Sequence, residues 1–202
     1  MIRRNPRFDR FLSLIFSTLS FFGLRIFPVY LVLEGLVDND NREFSPDIDD
    51  YSLEFLGPED MKEIAMLPDR KIAEEKLLQR LHRGMKCLGI KRREKIIAFT
   101  WSRSDEIEID LKRIPLNPNE AYLFDTYTLA AFRGKGVAPY LRYKMYEALH
   151  NLGMNRLFSY SSYFNPAALK FKKKLNAKII GLYLIIILFK KWCVDFEIKK
   201  FP

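Results

Sequence analysis

Residues that bind metals, form disulfides or build nucleophilic triads are scarce in this sequence. Its 202 residues include two cysteines, Cys87 and Cys193, and two histidines, His82 and His150. The cysteines are far apart and lack metal-ligand spacing, so no zinc site is expected. Neither a Ser-His-Asp nor a Cys-His arrangement can be derived from the chain. Few cysteines suit a reducing compartment.

Long hydrophobic runs are also missing. The uncharged run from Phe11 to Leu24 is shorter than the ~20 apolar residues that a membrane-spanning helix needs. The run from Ile179 to Phe189 is shorter still. The chain starts with basic residues and an apolar run, as a signal peptide does, but no small-x-small cleavage site follows.

The first 24 residues predict an amphipathic helix. Apolar residues recur at helical spacing on one side, and arginines flank the run. The apolar positions are Phe8, Phe11, Leu12, Ile15, Leu19 and Phe22. Two interpretations stay open: the helix packs on its own domain or on a second subunit, or it lies in a membrane interface.

The chain is strongly basic, with 34 Lys and Arg against 25 Asp and Glu and a net charge of +9. Such a charge suits an anionic cofactor, an anionic membrane or nucleic acid. Because the cations are scattered and no helix stands out as a reading helix, nucleic acid is not an expected partner.

A boundary near residue 50 divides the predicted elements. Residues 1–50 are expected to form an extension, with a strand from Ile26 to Leu36 after the helix and a linker from Val37 to Asp50. Pro28 cannot donate to a β-ladder, so its end of the strand is expected at a sheet edge. Residues 51–202 are expected to form the main domain. Its predicted elements are strands at Tyr51–Leu56, Cys87–Lys91, Lys95–Arg103, Glu106–Ile114, Glu120–Leu129, Asn155–Tyr163, Lys178–Phe189 and Trp192–Ile198, and helices at Pro58–Leu67, Asp69–Met85, Pro139–Leu152 and Asn165–Leu175.

The central feature is a glycine-rich turn between a predicted strand and a predicted helix. Its residues are Arg133, Gly134, Lys135, Gly136, Val137 and Ala138. Glycines allow close backbone approach, and the first amides of a helix point at a bound anion, so the turn predicts a phosphate or pyrophosphate cradle. An ordinary turn before a helix is the alternative. A dinucleotide-binding turn is disfavoured because the third glycine of Gly-x-Gly-x-x-Gly is missing.

Two motifs resemble those of the GNAT superfamily of acetyl-CoA-dependent N-acetyltransferases. Arg133 to Ala138 resembles the pyrophosphate motif [Gln/Arg]-x-x-Gly-x-[Gly/Ala], and Asn165 to Leu175 resembles the Asn-x-x-Ala helix. The resemblance covers Tyr51 to Ile198. It implies an α/β (α+β) fold whose mixed central sheet contains two splayed parallel strands.

The resemblance also implies a site for acetyl-CoA. Its pantetheine arm would pair with the strand residues Thr126, Tyr127, Thr128 and Leu129. Its pyrophosphate would be held by the amides of residues 133–138. Asn165 and Ala168 of the second motif would complete the cofactor site.

Catalytic residues are harder to carry over. The tyrosine that many family members place seven residues after the motif asparagine is Lys172 here. Tyr160, Tyr163 or water could donate a proton to the leaving sulfur instead. Asp125 is the expected base, with Glu120 second, because burial would raise the pKa of Asp125. A structural carboxylate is the alternative. Ser159, Ser161 and Ser162 would bind substrate or fill the splayed strand.

The expected function is therefore transfer of an acetyl group to an amine of a small molecule, such as an amino sugar or another primary amine. The alternative is a catalytically inactive acyl-CoA-binding module that acts as a membrane or protein adaptor. A cytoplasmic location, with peripheral membrane contact through residues 1–24 left open, and a homodimer are further expectations.

Overall fold

A computed structural model describes residues 6–35, 45–68 and 70–202 of the chain. Most of the predicted linker, Val37 to Asp50, lies outside these residues. The helices are α1 (Pro6–Phe21), α2 (Met61–Met66), α3 (Glu74–His82), α4 (Val137–Asn151) and α5 (Pro166–Lys174). The strands are β1 (Leu24–Glu34), β2 (Tyr51–Phe55), β3 (Lys86–Arg92), β4 (Lys95–Arg103), β5 (Glu106–Ile109), β6 (Lys112–Pro115), β7 (Glu120–Thr128), β8 (Arg156–Ser162), β9 (Lys178–Leu188) and β10 (Trp192–Lys200).

One large sheet organises the fold. Its eight strands follow the order β10-β9-β1-β8-β7-β4-β3-β2, and β5 and β6 form a separate hairpin. In the described residues, β7 and β8 are parallel neighbours and the other neighbouring strands are antiparallel. A parallel pair needs a crossover connection, and α4 supplies it.

The parallel pair separates soon after it begins. Glu120–Tyr122 of β7 pairs with Arg156–Phe158 of β8. Beyond these residues β7 stays paired with β4, and β8 stays paired with β1, so a gap opens between β7 and β8. We call this gap the splay. The predicted fold class, a mixed sheet with splayed parallel strands, is confirmed.

Strand β1 of the N-terminal extension lies inside the same sheet. It pairs with β9 from Leu24 to Leu33 and with β8 from Val29 to Glu34. The expectation of a sheet edge at Pro28 is wrong, because β1 is an inner strand and Pro28 is in register with Leu184 of β9. Pro28 lies just before the ladder with β8, and its carbonyl accepts a 3.0 Å hydrogen bond from the Tyr163 amide. The division into residues 1–50 and 51–202 stays a prediction, although β1 shares its hydrogen-bonded neighbours with the rest of the sheet.

Two predicted elements are wrong in part. The strand expected over Glu106–Ile114 is a hairpin, because Asp110 turns the chain at a φ of 55°, a conformation that aspartate tolerates. The helix expected from Asp69 begins at Glu74. Arg70 precedes that helix, and its side chain is held by Asp125 of β7 at 2.6 Å.

The two faces of the sheet are covered by different elements. On one face α4 buries Leu141, Met145 and Leu149 against β3, β4 and β7. On the other face α2 and α3 bury Ile64 and Leu77 against β4. Burial of side chains of this size stabilises the fold by roughly 1.5–3 kcal/mol each. The splay is thus covered by α4 on one face of the sheet.

Candidate active site

The glycine-rich turn forms the link that the sequence predicts between β7 and α4. Gly134 and Gly136 have φ angles of 83° and 73°, a region that other residues rarely adopt. Gly136 is the N-cap of α4. Val137 and Ala138 follow it, and their amides have no partner within the helix. Pro139, at the third helical position, supplies no amide donor.

A segment before β2 packs against this turn. The Asp47 amide donates to the Lys135 carbonyl at 2.8 Å. A Cβ atom on Gly136 would lie 3.3 Å from the Ser45 carbonyl oxygen. Gly136 is therefore required by packing as well as by its φ angle. Around Gly134 a Cβ atom would meet no atom within 4 Å, so that side of the turn is open.

The end of β7 carries a buried hydroxyl group without a partner. Among the described residues, the Oγ1 atom of Thr128 accepts or donates no hydrogen bond. The carbonyl of Thr128 accepts a 3.0 Å hydrogen bond from Nε of Arg133. Because an unpaired buried hydroxyl is costly, Thr128 is a candidate contact for the amide-rich arm of a ligand. It is one of the strand residues expected to bind the cofactor.

Asn165 of the second motif has a clear local role. It is the N-cap of α5, and its Oδ1 atom accepts a 3.1 Å hydrogen bond from the Ala168 amide. Such a cap stabilises a helix by about 1 kcal/mol. The Asn-x-x-Ala spacing therefore begins the helix that carries Lys172, and the Ala168 amide is already used.

Polar side chains from four elements, β1, α4, α5 and β8, meet beside the splay. Glu34 of β1, Arg142 of α4 and Lys172 of α5 form what we call the buried ionic cluster, with exposed fractions of 1%, 2% and 4%. Nε of Arg142 lies 2.8 Å from one Glu34 oxygen, and Nζ of Lys172 lies 3.3 Å from the other. Hydroxyl groups of Tyr146 and Ser159 also donate to Glu34.

Arg142 reaches across the splay. Its Nη1 atom donates to Thr100 of β4 at 2.8 Å and to Thr126 of β7 at 3.2 Å. Its Nε and Nη2 atoms donate to Glu34 of β1, the strand that pairs with β8 on the other side of the splay. The guanidinium thus joins the two halves of the sheet where β7 and β8 have separated.

Lys172 is held against β8. Its ammonium group donates to the hydroxyls of Ser159 and Ser161 at 2.6 and 2.7 Å and to the Tyr160 carbonyl at 3.3 Å. Burial lowers the pKa of Lys172 to about 8, although the Glu34 carboxylate opposes the change. Lys172 is therefore cationic at neutral pH, and it can release a proton at a pH close to neutral.

The cluster carries more positive than negative charge. Burial raises the pKa of Glu34, but Arg142 and Lys172 outweigh burial and lower it to about 2. One carboxylate therefore faces two cations in a buried site. A surplus cation next to the splay is suited to stabilise an oxyanion or a thiolate.

Sequence reasoning missed both Arg142 and Glu34. Arg142 lies between Leu141 and Met145 along α4 and is buried with them. Glu34 is a single acid at the end of an apolar strand. The isolation of Glu34 in an apolar strand was the sequence signal for a buried ion pair, because a carboxylate buried in such a strand needs a cationic partner.

Asp125 does not have the raised pKa that its burial predicts. Arg70 binds it with two hydrogen bonds of 2.6 and 2.8 Å, and Arg80 adds a third of 2.6 Å. Burial raises the pKa of the carboxyl, but these arginines outweigh burial and lower it. Asp125 lies in a β-bulge opposite Thr100, with a φ of 45°. A doubly paired carboxylate of low pKa is a weak base.

The other candidate catalytic residues are spread over the sheet. Glu120 pairs with Arg156 at 2.9 Å, at the closed end of the β7–β8 pair. Tyr160 packs against Tyr122 on the face of the β5–β6 hairpin, and burial raises its pKa. Tyr163 stacks on Tyr30 on the opposite face. The structure therefore does not gather these residues at one point.

A cavity of about 330 Å³ lies on the α3 face of β7. Tyr122 and Phe124 form its floor, next to the point where β7 leaves β8. Cations dominate its polar lining, which consists of Lys76, Gln79, Arg80, Arg83, Arg103 and Glu108. The cavity and α4 lie on opposite faces of the sheet, so two ligands could approach the splay from different sides.

Comparison with known proteins agrees with the geometry. The model of the acetyltransferase (GNAT) family matches residues 49–177. No curated protein matches the chain. A solved GNAT-family protein from Novosphingobium aromaticivorans is 19% identical with a TM-score of 0.58, over 82% of this chain and 66% of that one.

Two further structures share the fold. The tandem GNAT protein from the clavulanic acid biosynthesis pathway has a TM-score of 0.60 at 14% identity, over 92% of this chain and 59% of that one. A GCN5-related N-acetyltransferase-like protein from Streptococcus suis has a TM-score of 0.54 at 12% identity, over 91% of this chain and 68% of that one. The chain spans about three fifths to two thirds of the length of these proteins.

The family model covers more than half of the sequence, and it includes both motifs, the glycine-rich turn and the splayed strands. The chain belongs to the GNAT acetyltransferase family.

Proposed function

We propose that the protein is an N-acetyltransferase that moves an acetyl group from acetyl-CoA to an amine of a small molecule. The observation that supports this most is the splay between β7 and β8, which leads from the glycine-rich turn to the buried ionic cluster. A thioester arm needs such a gap, with an anion cradle at one end and positive charge near the reacting carbonyl.

Acetyl-CoA would lie along β7 and supply the acetyl group as a thioester. The backbone of residues 126–129, together with the unpaired hydroxyl of Thr128, would bind the pantetheine arm. The amides of Val137 and Ala138 and the exposed cations Arg133 and Lys135 would hold the pyrophosphate.

Lys172 is the proposed proton donor to the sulfur that leaves. It occupies the position of the family tyrosine, and its ammonium lies against β8 at Ser159 and Ser161. The neutral amine would attack the thioester carbonyl and form the C–N bond as the C–S bond breaks. The sulfur would take a proton from the Lys172 ammonium, the amine would release its own proton to solvent, and Lys172 would regain a proton from solvent. Arg142 stays charged and stabilises the developing negative charge.

The acceptor amine would enter the cavity on the α3 face. Lys76 and Arg83 are exposed cations in its lining, so they favour an acceptor that also carries an anionic group, such as a phosphorylated amino sugar. Asp125 would position Arg70 and Arg80 beside this cavity and would not act as the base.

The direct test is release of free thiol from acetyl-CoA with a panel of amines. The panel would include glucosamine with and without a phosphate group. We expect thiol release together with a product heavier by one acetyl group, and faster reaction of the phosphorylated sugar. Binding of acetyl-CoA without any product would instead favour the inactive binding module.

We further propose that the reaction takes place in the cytoplasm, where acetyl-CoA is available. A homodimer and membrane contact through residues 1–24 remain proposals. In the described part of the chain no helix combines the length and the apolar character that crossing a bilayer requires.

A further inference from the structure

Exposed apolar side chains gather at one end of the molecule. In the described residues, ten of the fourteen large apolar side chains that are exposed belong to α1, the loop after it, the β9–β10 turn or β10. They are Phe11, Leu14, Ile15, Phe21, Phe22, Phe189, Trp192, Val194, Phe196 and Ile198. A concentration of this kind marks an interaction surface.

The apolar residues of β10 lie on the same sheet face as α1. Trp192 and Val194 are in register with Leu188 and Ile186, and these with Leu24 and Ile26 of β1. The alternate residues face the β5–β6 hairpin, where Asp195 pairs with Lys112. Side chains of a strand alternate between faces, so the apolar stripe of β10 points away from that hairpin.

Contacts of α1 place it on this face too. Phe16 packs edge-on against Phe164 with ring centroids 6.1 Å apart, and Phe164 contacts Tyr163. Tyr163 stacks on Tyr30, which lies on the same face as Leu169 of α5. Strand β10, α1 and α5 therefore share one side of the sheet, which we call the docking face.

The β9–β10 turn and the loop after α1 form a tip at the edge of the docking face. The Phe189 amide donates to the Gly23 carbonyl at 2.7 Å and ties the β9–β10 turn to the loop after α1. Four aromatic side chains stand around this bond, namely Phe21, Phe22, Phe189 and Trp192, and they are 61% to 89% exposed. Lys190 and Lys191, also exposed, lie between the last two.

The charge of this side has a single sign. Residues 148–194 and residues 11–33 contain no Asp or Glu. Lys170, Lys173 and Lys174 of α5 are exposed. A symmetric dimer would bring such a surface against itself and set lysine against lysine. An anionic lipid surface complements both its cations and its aromatic rings.

We propose that the docking face binds the surface of a bilayer that contains anionic lipid, with the aromatic tip inserted between headgroups. Tryptophan and phenylalanine supply apolar area at the interface, and each lysine near the surface adds electrostatic attraction. The docking face is larger than the amphipathic helix of residues 1–24, because it also includes the β9–β10 turn. The pattern of that helix alone does not predict a role for this turn.

The test uses the full chain and its two tryptophans. Trp101 is fully buried and Trp192 is 61% exposed, so emission from Trp192 reports on the tip. We expect a blue shift on addition of phosphatidylcholine vesicles containing phosphatidylserine, and a much smaller shift with phosphatidylcholine alone. The Trp192→Phe variant should lose the shift while it still sediments with the vesicles.

Charge and contact variants complete the experiment. Lys190→Gln and Lys191→Gln should each weaken vesicle binding about fivefold, whereas Lys62→Gln and Lys95→Gln, exposed at the other end of the sheet, should leave it unchanged. Equal binding by both pairs of variants, or no sedimentation of the wild-type chain, would overturn the proposal. So would a stable dimer in gel filtration that Trp192→Ala dissociates, because the tip would then bind a second copy.

Discussion

Lys172 is the proposed proton donor of the reaction. Its ammonium has four oxygen neighbours, on Ser159, Tyr160, Ser161 and Glu34. A tyrosine at this position would have no need of Glu34, since a phenol is neutral at pH 7. Lysine requires an anion nearby to remain charged when buried, and β1 provides it.

The pH dependence of the reaction should reveal Lys172. Its pKa of about 8 means that the ammonium is present below that pH and is lost above it. We expect kcat to fall as the pH rises through about 8. In Lys172→Arg, whose cation does not titrate in this range, the fall should disappear even if kcat is lower at every pH. A fall at the same pH in both proteins would contradict the role.

Glu34 should be important for stability as well as for charge. Replacement by Gln leaves Arg142 and Lys172 buried without an anion, which should cost about 3–5 kcal/mol of unfolding free energy. The pKa of Glu34 is lowered from 4.5 to about 2, so this contribution is complete above pH 4.5 and is lost as the pH falls towards 2. Urea unfolding at neutral pH measures it.

The matched control is Glu75→Gln, which changes the same group on the exposed side of α3. That change should lie within about 0.5 kcal/mol of the wild type. A Glu34→Gln protein as stable as this control would show that the buried ionic cluster does not hold the fold.

At the scale of elements, local patterns predicted well and distant pairings did not. The glycine-rich turn, the helix after it and the helix at the second motif depend on neighbouring residues, and the structure has all three. The buried ionic cluster joins Glu34 to Arg142, which are 108 positions apart. Helical or strand periodicity carries no information about such a pair, because topology alone brings it together.

The same reasoning explains the outcome at Asp125. Its burial was predictable from the apolar strand around it. Its partners Arg70 and Arg80 come from the segment around α3, 55 and 45 positions away. The direction of the net pKa shift was therefore not predictable from the strand. In the partly buried Asp125, the hydrogen bonds and charges of two arginines together outweigh desolvation and lower the pKa.

Strand β1 should be essential for folding, while α1 should not. Removal of residues 1–22 leaves β1 in place between β8 and β9. Removal of residues 1–35 takes away the buried side chains Val29, Tyr30 and Val32 together with Glu34. Burial of each apolar side chain is worth roughly 1.5–3 kcal/mol, and the sum approaches the 5–15 kcal/mol stability typical of a whole protein.

Circular dichroism and thermal unfolding of both truncated chains test this expectation. The shorter deletion should give a cooperative transition close to that of the full chain. The longer deletion should give none. A cooperative transition of the longer deletion would support residues 51–202 as a self-sufficient domain and would contradict the importance of β1.

At the scale of the whole molecule, different parts of the sheet have different proposed roles. Beside the splay, α4 and α5 bring cations to the centre, and the cavity on the other face is the proposed acceptor site. The far strands β9 and β10 carry the apolar docking face. The sequence motifs predicted the glycine-rich turn and the two helices beside the splay, but not the buried ionic cluster. The docking face follows from the order of strands, which places β1 and β9 side by side.

Calorimetric titration with acetyl-CoA tests the central claim most directly when the wild type is compared with two variants at Gly134. Gly134 has a φ of 83° and open space where a side chain would stand, and both Asp and Asn tolerate that conformation. Gly134→Asp puts a carboxylate beside the proposed pyrophosphate site, and Gly134→Asn has the same shape without the charge. We predict that the Asp variant binds at least about tenfold more weakly than the Asn variant. Equal affinities for both variants, or no binding by the wild type, would contradict the assignment of acetyl-CoA to the splay and its glycine-rich turn.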